Sequence, residues 1–392
     1  MIEYKKRIWV EIDLDAIEHN LKAIKSVCKT AEVIAVIKAD GYGHGAVELG
    51  LFLQSAGVKF FAVSSLREAV ELRRGGIKCK ILVLGYTSPV EAQTLSDENI
   101  SQAVSSYDYA KALSDHLTIG SAVNIHIKLN TGMNRIGFNC CHGDPSKDIE
   151  RSLTLEGLRF EGLFTHFAVA DLDGDPTGEY TEKQYERYIL VSKRLENDGF
   201  SPIMRHCCNS AATLLNPKKQ LDAVRPGIIL YGLTPAVGLK LPVTLKPAMT
   251  FKAVVSMLHE AQIGDGVSYG LTYHATNNRM LATITAGYAD GFPRFLSNKG
   301  KVLIGGVPCP IVGKVCMDQT VVDVTDVKNI KEGDEAVLFG EQCGEILPVE
   351  EIAAIGNTVN YEIVCGISRR VPRYYFKEGK QVTVHDYLIQ ED

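Results

Sequence analysis

The sequence predicts an α/β protein with an N-terminal (β/α)8 TIM-like barrel and a C-terminal, mostly-β domain. From about residue 12 to about 235, short β-branched apolar runs alternate with amphipathic segments, a pattern typical of repeated βα units. Eight such runs can be counted, and the length fits a closed barrel of about 250 residues better than an open sheet. Beyond Leu241-Pro242 the pattern changes to short alternating runs broken by glycine, which indicates a second domain.

The apolar runs define the predicted barrel strands. They are Val33–Ala39, Phe60–Ser64, Ile81–Leu84, Gln102–Ser105, Val123–Leu129, Phe160–Thr165, Met204–Cys208 and Gly227–Tyr231. The segments between them have helical spacing; one example is the apolar stripe made by Leu14, Ile17, Leu21 and Ile24. We therefore assign residues 12–240 to the barrel.

The second domain is predicted from alternating runs of strand length. These are Ala282–Ala286, Val302–Ile304, Val321–Val324 and Ala336–Phe339. The residues before the first helix are free to pair with this domain, so it is predicted to be discontinuous, comprising 1–11 and 241–392.

Composition points to a small-molecule enzyme. The 392 residues carry a formal net charge of -5 with both signs interspersed, so we expect no nucleic-acid partner. No apolar stretch approaches the roughly 20 residues that span a bilayer, and we expect a cytoplasmic protein without a membrane segment. The ten cysteines include no Cys-x-x-Cys pair, so we expect reduced thiols and no metal site.

The segment that carries most chemistry begins within the first predicted strand and reads Ala35-Val36-Ile37-Lys38-Ala39-Asp40-Gly41-Tyr42-Gly43-His44-Gly45. Active sites of barrels lie at the C-terminal ends of the strands, which is where Lys38 is expected. A desolvated lysine suits a Schiff base to a carbonyl compound, and the glycines allow close approach of the backbone to a ligand. The alternative is a lysine that reaches the barrel rim and is solvated there.

This segment resembles the lysine motif of bacterial alanine racemases, and the resemblance continues in order through nearly the whole chain. The other matching segments are Lys128–Gly137, Phe164–Ala168, His206–Ala211, Arg225–Ile228, Gly266–Gly270, Gly287–Gly291, Cys316–Asp318 and Asn360–Glu362. So many motifs at family spacing make a specific signal. The resemblance implies a fold-type III, pyridoxal-phosphate-dependent isomerase that interconverts L-alanine and D-alanine and supplies D-alanine for peptidoglycan.

The resemblance also implies a set of cofactor-binding residues: Lys38, Tyr42, His166, Asn209, Ser210, Arg225, Gly227, Ile228 and Tyr361. Lys38 would carry the cofactor covalently. Barrels often bind phosphate with the loops after strands seven and eight, and Ser210 and Gly227 lie in or near those predicted loops. Arg225 would face the pyridine nitrogen, and because guanidinium has only donors and a pKa above about 12, it would leave that nitrogen largely unprotonated.

Racemisation removes a proton from one face of Cα and delivers one to the other, so two acid/base groups are the simplest arrangement. By resemblance, Lys38 serves D-alanine and Tyr269 serves L-alanine. Because family members combine one subunit's barrel with the partner's β domain, the resemblance implies a homodimer with shared active sites. It further implies that Arg135 and Met317 contact the substrate. The residues that would support the site are Lys128, His206, Cys316 and Asp318.

Three alternatives stay open. A serine or broad-specificity racemase shares the chemistry, although Tyr361 resembles the alanine-specific form. A related decarboxylase would be expected to offer an acidic partner to the pyridine nitrogen, which Arg225 does not. A non-catalytic carrier of pyridoxal phosphate would lack the domain that contributes Tyr269. Whether Lys128 is carbamylated is also open, because Asn130 replaces the family's usual aspartate and removes a negative charge nearby.

Overall fold

A computed structural model describes residues 7–171 and 178–389 of the chain. The described residues form two compact units. The barrel unit comprises Glu18–Gly41 and Ala46–Lys246, and the β unit comprises Tyr42–Gly45 with the described parts of Met1–Ile17 and Pro247–Asp392. No helix among these residues is long and apolar enough to cross a membrane.

The barrel unit contains eight parallel strands. In chain order they are Glu32–Val36, Phe60–Val63, Lys80–Val83, Ser101–Val104, Val123–Asn130, Leu158–Phe164, Met204–His206 and Ala223–Val224. Each strand pairs with its neighbours along the chain, and the eighth pairs with the first, which closes the ring. Strands such as Phe60–Val63 are continuous apolar runs because both faces of a barrel sheet are covered, whereas Val123–Asn130 alternates apolar and polar residues. The predicted (β/α)8 fold class is confirmed.

Helices alternate with these strands. They are Leu14–Val27, Ala46–Ser55, Leu66–Arg74, Ala92–Asp97, Tyr107–Asp115, Ser146–Leu153, Glu179–Asn197 and Ser210–Leu215, with 3-10 turns at Pro89–Glu91 and Pro217–Lys219. The stripe predicted for the first helix is buried, with Ile17 and Ile24 fully enclosed. A two-residue strand, Phe138–Asn139, adds to the fifth barrel strand.

The predicted position of the eighth strand is wrong. Gly227–Tyr231 is not a strand, because Ile228–Tyr231 forms a 3-10 helix and the strand lies earlier, at Ala223–Val224. A short apolar run that is buried on all sides has no periodicity to separate strand from helix. Pro226 also lacks the N–H that a sheet ladder requires. The 3-10 helix still faces the barrel, since the Tyr231 hydroxyl donates to the carbonyl of Val36 at 2.9 Å.

The β unit is built on a ten-stranded, largely antiparallel sheet. Its strands and two small satellite strands are Ile8–Asp13, Met249–Ala261, Gly266–Val267, Tyr273–His274, Arg279–Ile284, Lys301–Ile304, Val307–Pro310, Thr320–Asp323, Glu335–Gln342, Glu345–Leu347, Arg373–Lys377 and Lys380–His385. Helices Val349–Ile355 and Asn360–Cys365 accompany them, with 3-10 turns at Tyr269–Leu271, Tyr288–Asp290 and Arg294–Leu296. A mostly-β C-terminal domain was predicted, and it is present.

The first strand of the chain belongs to this sheet. Ile8–Asp13 pairs antiparallel with Met249–Ala261 and parallel with Arg373–Lys377. The four residues Tyr42–Gly45 also belong to the β unit: Arg373 Nε donates to the carbonyl of Gly43 at 3.1 Å, and the Tyr375 hydroxyl donates to that of His44 at 2.9 Å.

Candidate active site

Lys38 lies just beyond the C-terminal end of the first barrel strand. The strand ends at Val36, three residues earlier than the predicted bound of Ala39, and Ile37 N still donates to the carbonyl of Ala62 at 3.0 Å. Lys38 is partly buried. The Cα of this lysine is therefore held at the end of the barrel where barrel enzymes have their active sites.

The backbone after Lys38 is left-handed. Ala39, Asp40 and Gly41 have φ values of 50°, 55° and 60°, a conformation that costs a non-glycine residue roughly 1–2 kcal/mol. Side chains hold it in place: Glu68 Oε1 accepts from Ala39 N at 2.7 Å, and Asp40 Oδ1 accepts from Ala46 N at 3.0 Å. Strain of this kind persists only where the surroundings fix it, and it is concentrated at functional sites.

Arg225 is a buried cation of the barrel unit, only 3% exposed. Its Nη1 donates to His206 Nδ1 at 2.7 Å, and its Nη2 donates to the carbonyl of Thr165 at 2.7 Å. Longer contacts from Nη2, both of 3.3 Å, reach His166 Nδ1 and the carbonyl of Cys207. Two of the five guanidinium protons, the one on Nε and one of the two on Nη1, have no acceptor among the described residues. They can therefore be donated to an acceptor on a bound ligand.

Four cations surround His166. Burial first, and then the positive charges of Arg225, Lys128, Arg135 and Lys38, lower the pKa of His166 well below its usual value. His166 is therefore neutral near pH 7, and this group of positive side chains favours anionic ligands.

Lys128 is buried beside this group. Its Nζ donates to the carbonyl of Leu129 at 2.8 Å and lies 5.4 Å from the centre of the Phe164 ring. Burial, followed by the charges of Arg225 and Arg135, lowers the pKa of Lys128 from 10.5 to about 7. A substantial fraction of the amine is then neutral and nucleophilic near neutral pH.

Asn130 organises the turn that leads to Arg135. Its Oδ1 accepts from Gly132 N at 3.2 Å and from Asn134 N at 2.9 Å, and its Nδ2 donates to Asn134 Oδ1 at 3.1 Å. Aspartate could supply the first two contacts but not the third, because an ionised carboxylate has no donor.

A candidate phosphate cradle lies at the ends of the seventh and eighth strands. Gly227 N donates to Ser210 Oγ at 2.9 Å, and Asn209 caps the helix Ser210–Leu215 by accepting from Ala212 N at 3.0 Å. The first N–H groups of the 3-10 helix that begins at Ile228 have no acceptor within that helix. Hydroxyl and backbone donors of this kind suit a phosphate.

The β unit brings two of the predicted tyrosines together. The ring centres of Tyr42 and Tyr361 are 6.0 Å apart. Burial, followed by the neighbouring Tyr361 and Cys365, raises the pKa of the Tyr42 phenol, so this hydroxyl remains protonated and can donate. Asn360, beside Tyr361, donates to Glu350 Oε1 at 2.9 Å and fixes the start of its helix.

The remaining predicted residues lie on exposed turns of the β unit. Tyr269 is 72% exposed and Met317 is 53% exposed. The carbonyls of Cys316 and Met317 accept from Tyr288 N and Ala289 N, both at 3.0 Å. These bonds join the turn that carries Met317 to the 3-10 turn Tyr288–Asp290.

Asp318 completes this turn through an ion-pair cluster. Arg370 donates from Nη2 to Asp318 at 2.6 Å and from Nε to Asp290 at 2.7 Å. Asp290 is fully buried and also receives Arg7 Nη1 at 3.0 Å. The turn that carries Met317 is thus rigidly supported.

The structure therefore gathers the predicted residues into groups within each unit. In the barrel unit the pKa of His166 reports the proximity of Lys38, Lys128, Arg135 and Arg225, and His206 contacts Arg225. Sequence reasoning missed Glu68, which supports the Lys38 turn, and two buried polar residues of the barrel, His126 and Glu161. A signal existed for one of them, because His126 and Lys128 lie two residues apart, on one face of a strand in which polar and apolar residues alternate.

Comparisons with known proteins agree with this architecture. The profile described as "Alanine racemase, N-terminal domain" matches residues 12–235, and "Alanine racemase, C-terminal domain" matches residues 248–375. An alanine racemase of Desulforamulus reducens is 44% identical over 374 residues, which is 95% of this chain and 99% of the relative.

Solved structures agree as well. An alanine racemase of Clostridium difficile 630 superposes with a TM-score of 0.93 at 38% identity, covering 99% of this chain and 100% of that one. A histidine racemase from Leuconostoc mesenteroides superposes with a TM-score of 0.86 at 31% identity, covering 95% of this chain and 98% of that one.

A parallel barrel with a lysine held at the C-terminal end of its first strand, and a β-rich second unit, define a class of enzyme: the amino-acid racemases, which are isomerases. Both profile matches and the full-length relatives identify the family within that class. This chain belongs to the alanine racemase family.

Proposed function

We propose that the protein interconverts L-alanine and D-alanine with pyridoxal phosphate held on Lys38. The observation that carries the proposal is the left-handed turn that Glu68 and Asp40 hold directly after Lys38, at the C-terminal end of the barrel. When bound, pyridoxal phosphate supplies an electron-withdrawing ring that weakens the Cα–H bond of the attached amino acid.

The polar groups of the chain fit such a cofactor. Ser210, Gly227 and Ile228 would hold its phosphate with a hydroxyl and backbone donors, and Tyr42 and Tyr361 would add phenols. Asn209 would act through the helix that it caps. His166 and Arg225 would hold the cofactor ring.

Arg225 would limit side reactions. Its free donors would face the pyridine nitrogen, and because a guanidinium does not readily release a proton, the ring would stay a weak electron sink. A weak sink favours return of the proton to Cα over transamination. Cofactor transamination in Arg225→Glu is expected to exceed that of the parent enzyme, and an unchanged rate would refute this role.

Lys38 and Tyr269 would be the two acid/base groups, Lys38 for the α-proton of D-alanine and Tyr269 for that of L-alanine. Arg135 and the backbone of Met317 would hold the substrate carboxylate, with Lys128, His206, Cys316 and Asp318 as supports. The proposal is supported by the exposure of Tyr269, since an exposed phenol is available to a second subunit.

We therefore propose a homodimer in which each site combines Lys38 of one subunit with Tyr269 of its partner. Mixing Lys38→Ala and Tyr269→Phe chains tests this, because a mixed dimer then contains one site with both native groups. After subunits exchange, about a quarter of the parent activity is expected. If both groups came from the same subunit, the mixture would stay inactive.

The identity of the substrate needs a direct measurement, because one structure with the same fold belongs to a histidine racemase. Solvent deuterium entering Cα of L-alanine, D-alanine, L-serine, L-lysine and L-histidine should be followed with the purified protein. We expect exchange to be fastest with alanine. No exchange with any of them would refute the racemase activity, and faster exchange with serine would favour the serine or broad-specificity alternative.

Two further parts of the proposal concern modification and context. The lowered pKa of Lys128, about 7, supports carbamylation of its amine, which mass measurement in bicarbonate would detect. We also propose that the enzyme acts in the cytoplasm to supply D-alanine for peptidoglycan, with its domains divided at residues 12 and 240. Rescue of a D-alanine auxotroph would test the cellular role.

A further inference from the structure

A path of buried hydrogen bonds connects Arg225 to a carboxylate on the far side of the barrel interior. Arg225 Nη1 lies 2.7 Å from His206 Nδ1, His206 Nε2 lies 2.8 Å from His126 Nδ1, and His126 Nε2 lies 3.1 Å from Glu161 Oε2. None of the four residues is more than 4% exposed. We name these four side chains the histidine relay.

The two ends of the histidine relay fix its direction. Guanidinium has only donors, so His206 Nδ1 must accept from Arg225 and the ring proton of His206 must be on Nε2. That proton is donated to His126 Nδ1, which places the ring proton of His126 on Nε2, facing Glu161. An ionised carboxylate only accepts, so the same pair of tautomers is required from both ends.

Glu161 is built to remain ionised. Its Oε1 accepts from Lys80 Nζ at 2.6 Å, and its Oε2 accepts from Ser101 Oγ at 2.6 Å. Burial alone would raise the pKa of Glu161, but hydrogen bonds from His126, Lys80 and Ser101 outweigh it and lower the pKa to about 2. Burial also lowers the pKa of His126 and of His206, so both rings are neutral.

The barrel is shaped around these rings. A Cβ added to Gly162 would lie 2.1 Å from His126 Nδ1, so only glycine leaves space for that ring. Phe60 meets His126 edge-on with ring centres 5.8 Å apart, and Phe164 stacks on His206 with ring centres 5.0 Å apart and planes 11° apart. The rings therefore have one packed orientation each.

The relay also spans the barrel from end to end. Lys80 and Ser101 begin the third and fourth strands, whereas Arg225 directly follows the eighth. Glu161 is therefore anchored at the end of the barrel opposite to Arg225, where Lys80 pairs with its carboxylate.

We propose that Glu161 is a positioning residue for Arg225: through His126 and His206 it fixes one hydrogen-bond direction and so holds the guanidinium in one orientation. The orientation itself is a property of the chain. Its purpose rests on the proposed function, in which the remaining donors of Arg225 would face the cofactor nitrogen.

The first test observes the tautomers directly. Protein labelled with ¹⁵N-histidine gives long-range proton–nitrogen spectra in which the two neutral tautomers differ, and His126→Gln and His206→Gln chains assign the two rings. We expect both rings to carry the proton on Nε2, with or without pyridoxal phosphate. A proton on Nδ1 of either ring, or a charged ring at pH 7, would overturn the relay.

The second test removes the acceptor. Glu161→Leu leaves the Nε2 proton of His126 without an acceptor, and we expect a mixture of tautomers together with about tenfold weaker binding of pyridoxal phosphate and faster cofactor transamination. Glu161→Gln, whose amide oxygen still accepts, should restore the parent tautomers and most of the affinity. Because Glu161→Gln keeps an acceptor, its histidine tautomers and cofactor affinity can still be measured if the leucine variant does not fold.

The matched control is Tyr188→Phe. Tyr188 is fully buried and its hydroxyl donates to the carbonyl of Leu163, on the same strand as Glu161, at 2.8 Å. Its removal should lower stability without changing the tautomers or transamination. Equal effects of Tyr188→Phe and Glu161→Leu on transamination would reduce Glu161 to a structural role and overturn the proposal. Failure of the parent to bind pyridoxal phosphate would instead refute the proposed function, and the tautomer spectra would still decide the relay.

Discussion

Lys128 is expected to destabilise the folded protein at neutral pH, and Lys128→Met should relieve that cost. The residue is 3% exposed, and its Nζ donates only to the carbonyl of Leu129 among described residues. That carbonyl also accepts from Thr165 Oγ1 at 3.0 Å, so methionine would not leave it unpaired. Methionine has a similar length and fills the site without a charge.

The expected magnitude follows from the pKa. Burial, and then the charges of Arg225 and Arg135, lower the pKa of Lys128 from 10.5 to about 7, a difference that corresponds to about 5 kcal/mol at 1.36 kcal/mol for each pKa unit. Because the folded pKa is the lower one, the unfolded chain binds more protons between these pH values. Stability therefore rises with pH through this window, by up to about 1.4 kcal/mol per pH unit, and the full cost is present below pH 7.

Urea unfolding followed by circular dichroism at pH 7, 8, 9 and 10, in buffers free of carbon dioxide, measures the effect. Lys128→Met should exceed the parent by about 2–4 kcal/mol at pH 7, less than the full 5 because one hydrogen bond is lost, and the difference should close towards pH 10. Lys22→Met is the control, because the Lys22 side chain is 72% exposed. A Lys128→Met difference that is the same at every pH would refute the reasoning.

Two predictions concern the backbone near Lys38. Gly43→Ala should lower the free energy of unfolding by about 2–4 kcal/mol, since φ is +80° and the new Cβ would lie 2.0 Å from the carbonyl oxygen of Val364. The control is Gly120→Ala, which has φ of +89° but nothing within 4 Å and should cost about 1 kcal/mol. Equal shifts of the two variants in thermal midpoint would contradict this prediction. Glu68→Ala should lower the free energy of urea unfolding by about 1–2 kcal/mol, because Ala39 N loses its acceptor. It should also slow the uptake of pyridoxal phosphate. Uptake at the parent rate would show that the turn after Lys38 does not depend on Glu68.

Much of the fold could be predicted because the signals were local. Strand runs such as Phe60–Ser64 differ by one residue from the observed Phe60–Val63, since short apolar strands are bounded by turn residues. The eighth strand could not be located in this way. The choice between Ala223–Val224 and Gly227–Tyr231 depends on which segment pairs with the first strand when the barrel closes, and sequence periodicity carries no information about that pairing.

The residues of the candidate site also differ in whether local sequence is enough to recognise them. Lys38 could be singled out because a charged residue near the end of an apolar strand is costly and conspicuous, whereas Arg225 was singled out only by the resemblance to a known family. Glu161 is buried, but its meaning depends on Lys80, which lies 81 residues earlier. A carboxylate in a strand is an anomaly in the sequence, and only the closed barrel shows that it is matched by partners on three other strands.

The electrostatics of the barrel unit favour an anionic ligand. Lys38, Lys128, Arg135 and Arg225 all act on His166, and repulsion from Arg225 and Arg135 is, after burial, part of the reason that the pKa of Lys128 falls to about 7. A bound anion would offset that repulsion and favour the charged form of Lys128. Anion binding and proton uptake would then be linked, so that the cost of burying this lysine is smallest when the site is filled.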